Sequence, residues 1–129
     1  DILSWTRTFL EADVRSFGRV SGDEGRQHVI PDGQGRLMVQ GLLTATLPSK
    51  IGGDLSFLAR EMIFRFERPV FVGDTIHCQV RIDRLEGAPD HRHLVCSWVC
   101  TNQESATVMT GGAQGVILGL PPQALTAES

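Results

Sequence analysis

Residues 38–47 place the strongest constraint on the fold of this chain. The run MVQGLLTATL carries no charged side chain, and a helix that is apolar on every side has to be surrounded by other structure. We predict a helix here, kinked or ended near Leu47, because Pro48 removes a backbone hydrogen bond. The rest of the chain must therefore supply a surface that covers this helix.

The residues that follow Gly53 have the two-residue periodicity of β-strands. Apolar side chains alternate with polar or charged ones in each of four segments, which is typical of strands with one buried face. The pair Gly111-Gly112 interrupts the last segment and predicts a β-bulge there. The predicted strands are 62–66, 75–82, 94–100 and about 105–118.

The first part of the chain predicts a strand at 3–9, a short helix at 11–19 and a loop at 22–36 that contains four glycines. Its 129 residues fit one domain, which we expect to span 1–129. One antiparallel sheet curled around one apolar helix accounts for the whole pattern. The predicted fold class is therefore α+β, with a single sheet and a central helix.

Composition excludes several classes of function. A net charge of −3 provides no basic field for nucleic acid. No apolar run approaches the roughly 18 residues of a membrane helix, and the N-terminus lacks the pattern of a signal peptide. Three cysteines are an odd, low number, which argues against a disulfide framework and favours a reducing compartment such as the cytoplasm.

The predicted loop contains the sequence SGDEGRQH, in which Asp23 precedes His28 by five positions. One interpretation is a polar surface turn, since aspartate commonly forms turns and caps. The other is an acid–base pair, because imidazole titrates near neutral pH and carboxylates accept protons. The two residues alone leave both interpretations open.

Several segments together resemble a known family. They are Thr8-Phe9, Asp13-Val14, Phe17, residues 21–28, residues 39–43 and Pro69-Val70-Phe71-Val72-Gly73-Asp74. In these segments the chain resembles the MaoC-like (R)-specific enoyl-CoA hydratases and 3-hydroxyacyl dehydratases. The resemblance implies the hot-dog fold, in which a curved antiparallel sheet wraps around a central helix.

The resemblance also implies a site and a substrate. Asp23 and His28 match the family's catalytic pair, Gly41 matches a glycine whose N–H binds the thioester oxygen, and Ser49 matches a serine near that carbonyl. The implied substrate is a 2-enoyl or 3-hydroxyacyl thioester of coenzyme A or phosphopantetheine, with no separate cofactor. The family also implies a homodimer, which the exposed edges of a single sheet independently favour.

The chain departs from the family in two places. Gly25-Arg26 replaces Asn-Pro in the catalytic loop, and Gln40 replaces the histidine before Gly41. Two alternatives are a hot-dog thioesterase, which residues 37–53 disfavour because they contain no carboxylate, and an acyl-thioester-binding subunit without catalysis. Basic residues that could meet substrate phosphates, or remain solvated, are Arg26, Lys50 and Arg60.

A metal site built from histidines and cysteines near residue 95 is not expected. Strand periodicity directs His91 and His93 to one face and Cys96 and Cys100 to the other, whereas tetrahedral zinc needs convergent ligands. We interpret these two cysteines and Cys78 as small buried hydrophobic residues.

Overall fold

Five strands form one antiparallel sheet in the computed structural model, which describes residues 1–118. Their bounds are β1 Ile2–Thr8, β2 Phe57–Phe66, β3 Thr75–Ala88, β4 His91–Thr101 and β5 Thr107–Leu118. The order across the sheet is β1-β3-β4-β5-β2, so β1 and β2 are its edges. The predicted antiparallel sheet is confirmed, with β3 and β4 longer than their periodicity indicated.

Four short helices accompany the sheet. They are α1 Glu11–Ser21, α2 Arg26–Val29, α3 Gly41–Thr44 and α4 Thr46–Asp54. Helix α1 begins as predicted but ends at Ser21, two residues later than expected, and Gly22 adopts a left-handed φ of 79° at its C-cap. Helix α2 lies within the predicted loop and was not expected. Within residues 1–118, no helix combines the length and the hydrophobicity needed to cross a bilayer.

The central helix differs from its prediction. It begins at Gly41 rather than Met38 and continues beyond Pro48 to Asp54, with a break at Ala45. Because Ala45 keeps right-handed helical angles, φ −64° and ψ −13°, α3 and α4 form one nearly continuous helical segment. The predicted kink near Leu47 is wrong, since Pro48 lies in the first turn of α4, where a backbone N–H has no partner within the helix.

This helical segment packs against the inner face of the sheet. Its buried side chains Leu43, Leu47 and Ile51 belong to one core with Ile76 and Trp98. The indole of Trp98 also packs on Phe64, with 5.3 Å between ring centroids. The predicted architecture, a sheet covering a single apolar helical segment, is thus confirmed.

The β-bulge predicted at Gly111-Gly112 is absent from the described sheet. Pairing runs without interruption through both glycines, and the β2–β5 register shifts instead between Ala59 and Glu61. Close packing explains the glycine at position 111. A Cβ on Gly111 would overlap the carbonyl oxygen of Ile63 and lie 2.8 Å from Trp98 Nε1. Gly111 is therefore required by the close approach of its neighbours.

The three cysteines are free and buried, as predicted. Burial raises the pKa of the Cys96 thiol, and a hydrogen bond with Cys78, together with burial, raises the pKa of Cys100. Both effects disfavour the thiolate, which is the reactive form of cysteine. These residues therefore behave as small apolar side chains of the core.

Replacing Gly111 by alanine should lower the free energy of unfolding by about 3 kcal/mol, since the new methyl group forces backbone and indole apart. Urea denaturation followed by tryptophan fluorescence measures the change. Gly33→Ala is the matched control, because a Cβ there meets no atom within 4 Å. Equal stability of the two variants would contradict the packing role of Gly111.

Candidate active site

One cleft brings together two of the residues predicted to act on substrate. It has a volume of about 330 Å³ and is lined by His28 from α2 and by Gly41 at the start of α3. Its remaining walls come from α2, from α3 and the residues before it, from the end of β2 and the segment that follows it, and from the start of β5. They are Gln27, Met38, Val39, Thr44, Phe66, Glu67, Arg68, Pro69, Val70 and Val108.

His28 is held in one orientation by the main chain. Its side chain is only 6% exposed, and Nδ1 lies 2.8 Å from the carbonyl oxygen of Met38. Because a carbonyl oxygen only accepts hydrogen bonds, Nδ1 carries the hydrogen. The neutral imidazole therefore keeps its lone pair on Nε2.

Asp23 approaches that same nitrogen. The distance from Asp23 Oδ2 to His28 Nε2 is 3.8 Å, and the Asp23 side chain is 49% exposed. This separation is within ion-pair range but too long for a direct hydrogen bond. The fold thus brings together the two side chains that the sequence singled out, one buried and one open to solvent.

Gln27 is a third polar group at this point and was missed in the sequence. Its Nε2 lies 3.2 Å from His28 Nε2 and donates to the lone pair there. A Cβ on Gly25 would lie 3.1 Å from Gln27 Oε1, so the side chain of Gln27 packs where a larger residue 25 would stand. The sequence shows that Gly25 replaces the asparagine of the family motif. The effect of this replacement on Gln27 depends on the conformation of the turn, which the sequence does not show.

Gly41 meets the cleft at the beginning of the helical segment. The first N–H groups of a helix have no acceptor within it. A Cβ at Gly41 would lie 2.9 Å from Cε1 of Phe66. Glycine is therefore the residue that lets the ring of Phe66 lie directly against the helix start.

Ser49 lies elsewhere. Its Oγ donates to the carbonyl oxygen of Ala45 at 3.2 Å, and it lines a second, apolar cavity of about 220 Å³ between α4 and the sheet. The walls of that cavity include Phe57, Met62 and Trp98. The structure does not bring Ser49 into the cleft of His28 and Gly41, and its role near a carbonyl stays a prediction.

The basic residues proposed for phosphate contact are not among the cleft walls. Arg26, Lys50 and Arg60 line neither cavity, and Lys50 pairs with Asp54 at 2.6 Å. Arg68 does line the cleft, where its Nη1 donates to the carbonyl oxygen of Thr107 at 2.6 Å. It is the arginine that the structure adds to the candidate site.

The histidine and cysteine side chains of β4 diverge, as their spacing predicts. Cys96 and Cys100 are buried in the core, whereas His93 contacts Gln114 through Nε2 at 3.0 Å. Among the described residues, no three His, Cys, Asp or Glu side chains cluster in a way that could hold a metal ion.

Comparison with solved structures finds several hot-dog proteins. The chain is similar to an (R)-hydratase from A. caviae involved in PHA biosynthesis, with 26% identity, a TM-score of 0.79, and coverage of 94% of this chain and 95% of that one. It is also similar to the R-hydratase PhaJ1 from Pseudomonas aeruginosa, with 20% identity, a TM-score of 0.76, and coverage of 95% and 88%.

A third similar structure is the HadBC (3R-hydroxyacyl-ACP dehydratase) complex from Mycobacterium tuberculosis, with 16% identity, a TM-score of 0.69, and coverage of 90% of this chain and 94% of that chain. No protein-family model matches the sequence, and no curated protein matches it. The structural similarity nevertheless extends over nearly the whole chain. The chain therefore has the hot-dog fold of these proteins.

Proposed function

We propose that the protein interconverts 2-enoyl and 3-hydroxyacyl thioesters of coenzyme A or a phosphopantetheine carrier. The observation that carries this proposal is the position of His28, whose Nε2 lies 3.8 Å from the Asp23 carboxylate and whose ring also lines the cleft of Gly41. Asp23 itself is not a wall of that cleft and lines, with His28, a small adjoining cavity. Structures described as hydratases and dehydratases are among those similar to the chain.

The acid–base pair performs the proton transfers of such a reaction. A water molecule between Asp23 and His28 would suit a separation that is too long for a direct hydrogen bond. In hydration, the pair takes a proton from water as the oxygen bonds to the β-carbon, and it returns a proton to the α-carbon. The pair is regenerated, and the product has gained one molecule of water.

Gly41 stabilises the negative charge that develops on the thioester oxygen. An N–H group that is fixed before the reaction and has no other acceptor is the donor needed for such an oxygen. The ring of Phe66, which lies against Gly41, keeps this helix start in place beside the cleft. The helix start and the acid–base loop thus act on opposite ends of the same conjugated system.

The apolar cavity beside α4 suits the acyl chain. It contains Met62 and Trp98 and is lined mostly by apolar side chains, so the burial of substrate methylene groups there is favourable. Ser49 is a polar group in that lining. In this proposal it contacts the substrate at the acyl cavity, whereas Gly41 contacts the carbonyl oxygen in the cleft.

A second candidate is an acyl-thioester-binding protein without turnover. The observation that favours it is the Gln27 amide, which donates to the nitrogen that would activate water. The thioesterase alternative has less support, because the helical segment carries its first carboxylate at Asp54, where Lys50 neutralises it.

A panel of enoyl- and 3-hydroxyacyl-CoA substrates of different lengths tests the proposal. Loss or gain of the enoyl-thioester absorbance measures hydration and dehydration, while a thiol reagent measures hydrolysis. We expect hydration and dehydration without thiol release. Binding without either reaction would favour the second candidate, and release of free thiol would identify a thioesterase.

Asp23→Asn should lower kcat for hydration by about 100-fold or more, because a positioned acid–base group commonly contributes 10²–10⁴ in rate. The matched control is Asp32→Asn, since Asp32 is another loop carboxylate but pairs with Arg36 at 2.9 Å, whereas Asp23 is the one within ion-pair range of His28. Circular dichroism verifies folding. Normal turnover by Asp23→Asn would remove Asp23 from the mechanism.

We further propose that the chain forms a homodimer through the edge strand β2. An unpaired strand edge is a surface that commonly joins another strand, and β2 also exposes apolar residues, with Leu58 at 55% and Ile63 at 46%. Pairing of two β2 strands would extend the sheet across both subunits and bury these side chains.

Ile63→Asp should convert the dimer to a monomer, because an isologous interface brings the two new carboxylates close together. Light scattering after gel filtration measures the mass. Val99→Asp is the control, since Val99 has nearly the same exposure, 45%, but belongs to the interior strand β4. Dissociation by both variants, or by neither, would contradict the assignment of β2.

A further inference from the structure

The side-chain amide of Gln40 is buried between the loop that carries Asp23 and the start of α3 at Gly41. Gln40 is the N-cap residue of α3, directly before Gly41, and its side chain is only 1% exposed. It does not line the cleft. Its contacts are therefore with the protein and not with a ligand in that cleft.

The amide nitrogen of Gln40 joins two separate segments. Nε2 donates to the carbonyl oxygen of Val14 in α1 at 3.0 Å and to the carbonyl oxygen of Asp23 at 3.3 Å. Both hydrogens of the amide are thus used on main-chain acceptors. The second bond ties the backbone of Asp23 to the residue that begins the helical segment.

The other contacts of the Asp23 main chain are local. Its N–H donates to Ser21 Oγ at 3.0 Å, a bond within the same turn. His28 is held independently, through the bond from Nδ1 to Met38. The bond from Gln40 is therefore the one that fixes Asp23 relative to Gly41.

Stability alone does not explain the amide. Oε1 of Gln40 is buried and has no hydrogen-bond partner among the described residues, and such an unpaired acceptor is unfavourable. Reversing the amide would place oxygen against two carbonyl oxygens, so the orientation is fixed. Buried groups that violate the usual pairing occur mainly at functional or strained sites.

We infer that Gln40 is a positioning residue, whose two N–H groups hold the Asp23 loop against the start of the helical segment. It sets the distance between the carboxylate and His28 without touching substrate. The inference about turnover rests on the proposed function, whereas the inference about the loop can be tested without any substrate.

Gln40→Met tests this role, since methionine has similar length but no N–H donor. In the free protein, we expect backbone amides of residues 22–28 to exchange faster with deuterium, because their tether is lost. With substrate, kcat should fall about 10- to 100-fold as Asp23 is misplaced. KM should change little, because Gln40 lies outside the cleft.

Gln40→His provides the second variant, since a ring N–H can replace one of the two donors, and it should recover part of kcat and of the exchange protection. Ile76→Ala is the control for lost core packing, because Ile76 is fully buried and lines neither cavity. It should lower Tm without changing local exchange at 22–28.

The exchange and kinetic results separate the two proposals. If the wild-type protein turns over no thioester, the proposed function fails, while faster exchange in Gln40→Met still supports the tether. Unchanged exchange, or a fall in kcat no larger than that of Ile76→Ala, would overturn the positioning role. If Gln40→Met does not fold, protection in Gln40→His decides: exchange at residues 22–28 faster than in the wild type supports the tether, and exchange equal to that of the wild type overturns it.

Discussion

Burial of the helical segment 41–54 against a single sheet is the constraint on which the other features depend. Trp98 packs in the same core as the segment, and the absence of a side chain at Gly111 leaves space for its indole and for the carbonyl oxygen of Ile63. The same packing fixes where the segment begins, since Phe66 of the edge strand lies against Gly41. A site at the start of this helix is therefore held in place by the packing of the core.

The loop that carries Asp23 and His28 is joined to that core by hydrogen bonds to main-chain groups. Met38 accepts from His28 Nδ1 and donates its own N–H to the carbonyl oxygen of Gln27 at 3.0 Å. Met38 is in turn bridged to Phe71, so the tautomer of His28 is set by backbone pairing outside the loop. The chemical state of the imidazole is thus a consequence of how the segment before α3 joins the rest of the fold.

The sequence predicted the elements whose patterns are local. Alternation in β3 follows from burial of one face of that strand, and the prediction of a strand was confirmed. The uncharged central segment buries Leu43, Leu47 and Ile51 but leaves Leu42 61% exposed, and the helix predicted there was confirmed with different bounds. The predicted bulge at Gly111-Gly112 and the predicted kink near Leu47 were wrong. A glycine in a strand can be required by close packing without a bulge, and a proline in the first turn of a helix removes no hydrogen bond within that helix. Asp23 and His28 were singled out by spacing and resemblance. The contact of Gln27 with His28 depends on the local turn, and the contacts of Gln40 depend on partners distant in the sequence.

The departure from the family motif at Gly25 is physically related to the site. Gly25 leaves the space in which the Gln27 amide lies, and this amide donates to the lone pair of His28. A single lone pair accepts one strong hydrogen bond, so a water molecule that reaches Nε2 must displace the amide. Because Gln27 is exposed, its amide exchanges one partner for water at little cost in free energy. The ease of this exchange determines whether the loop supports catalysis or only binding.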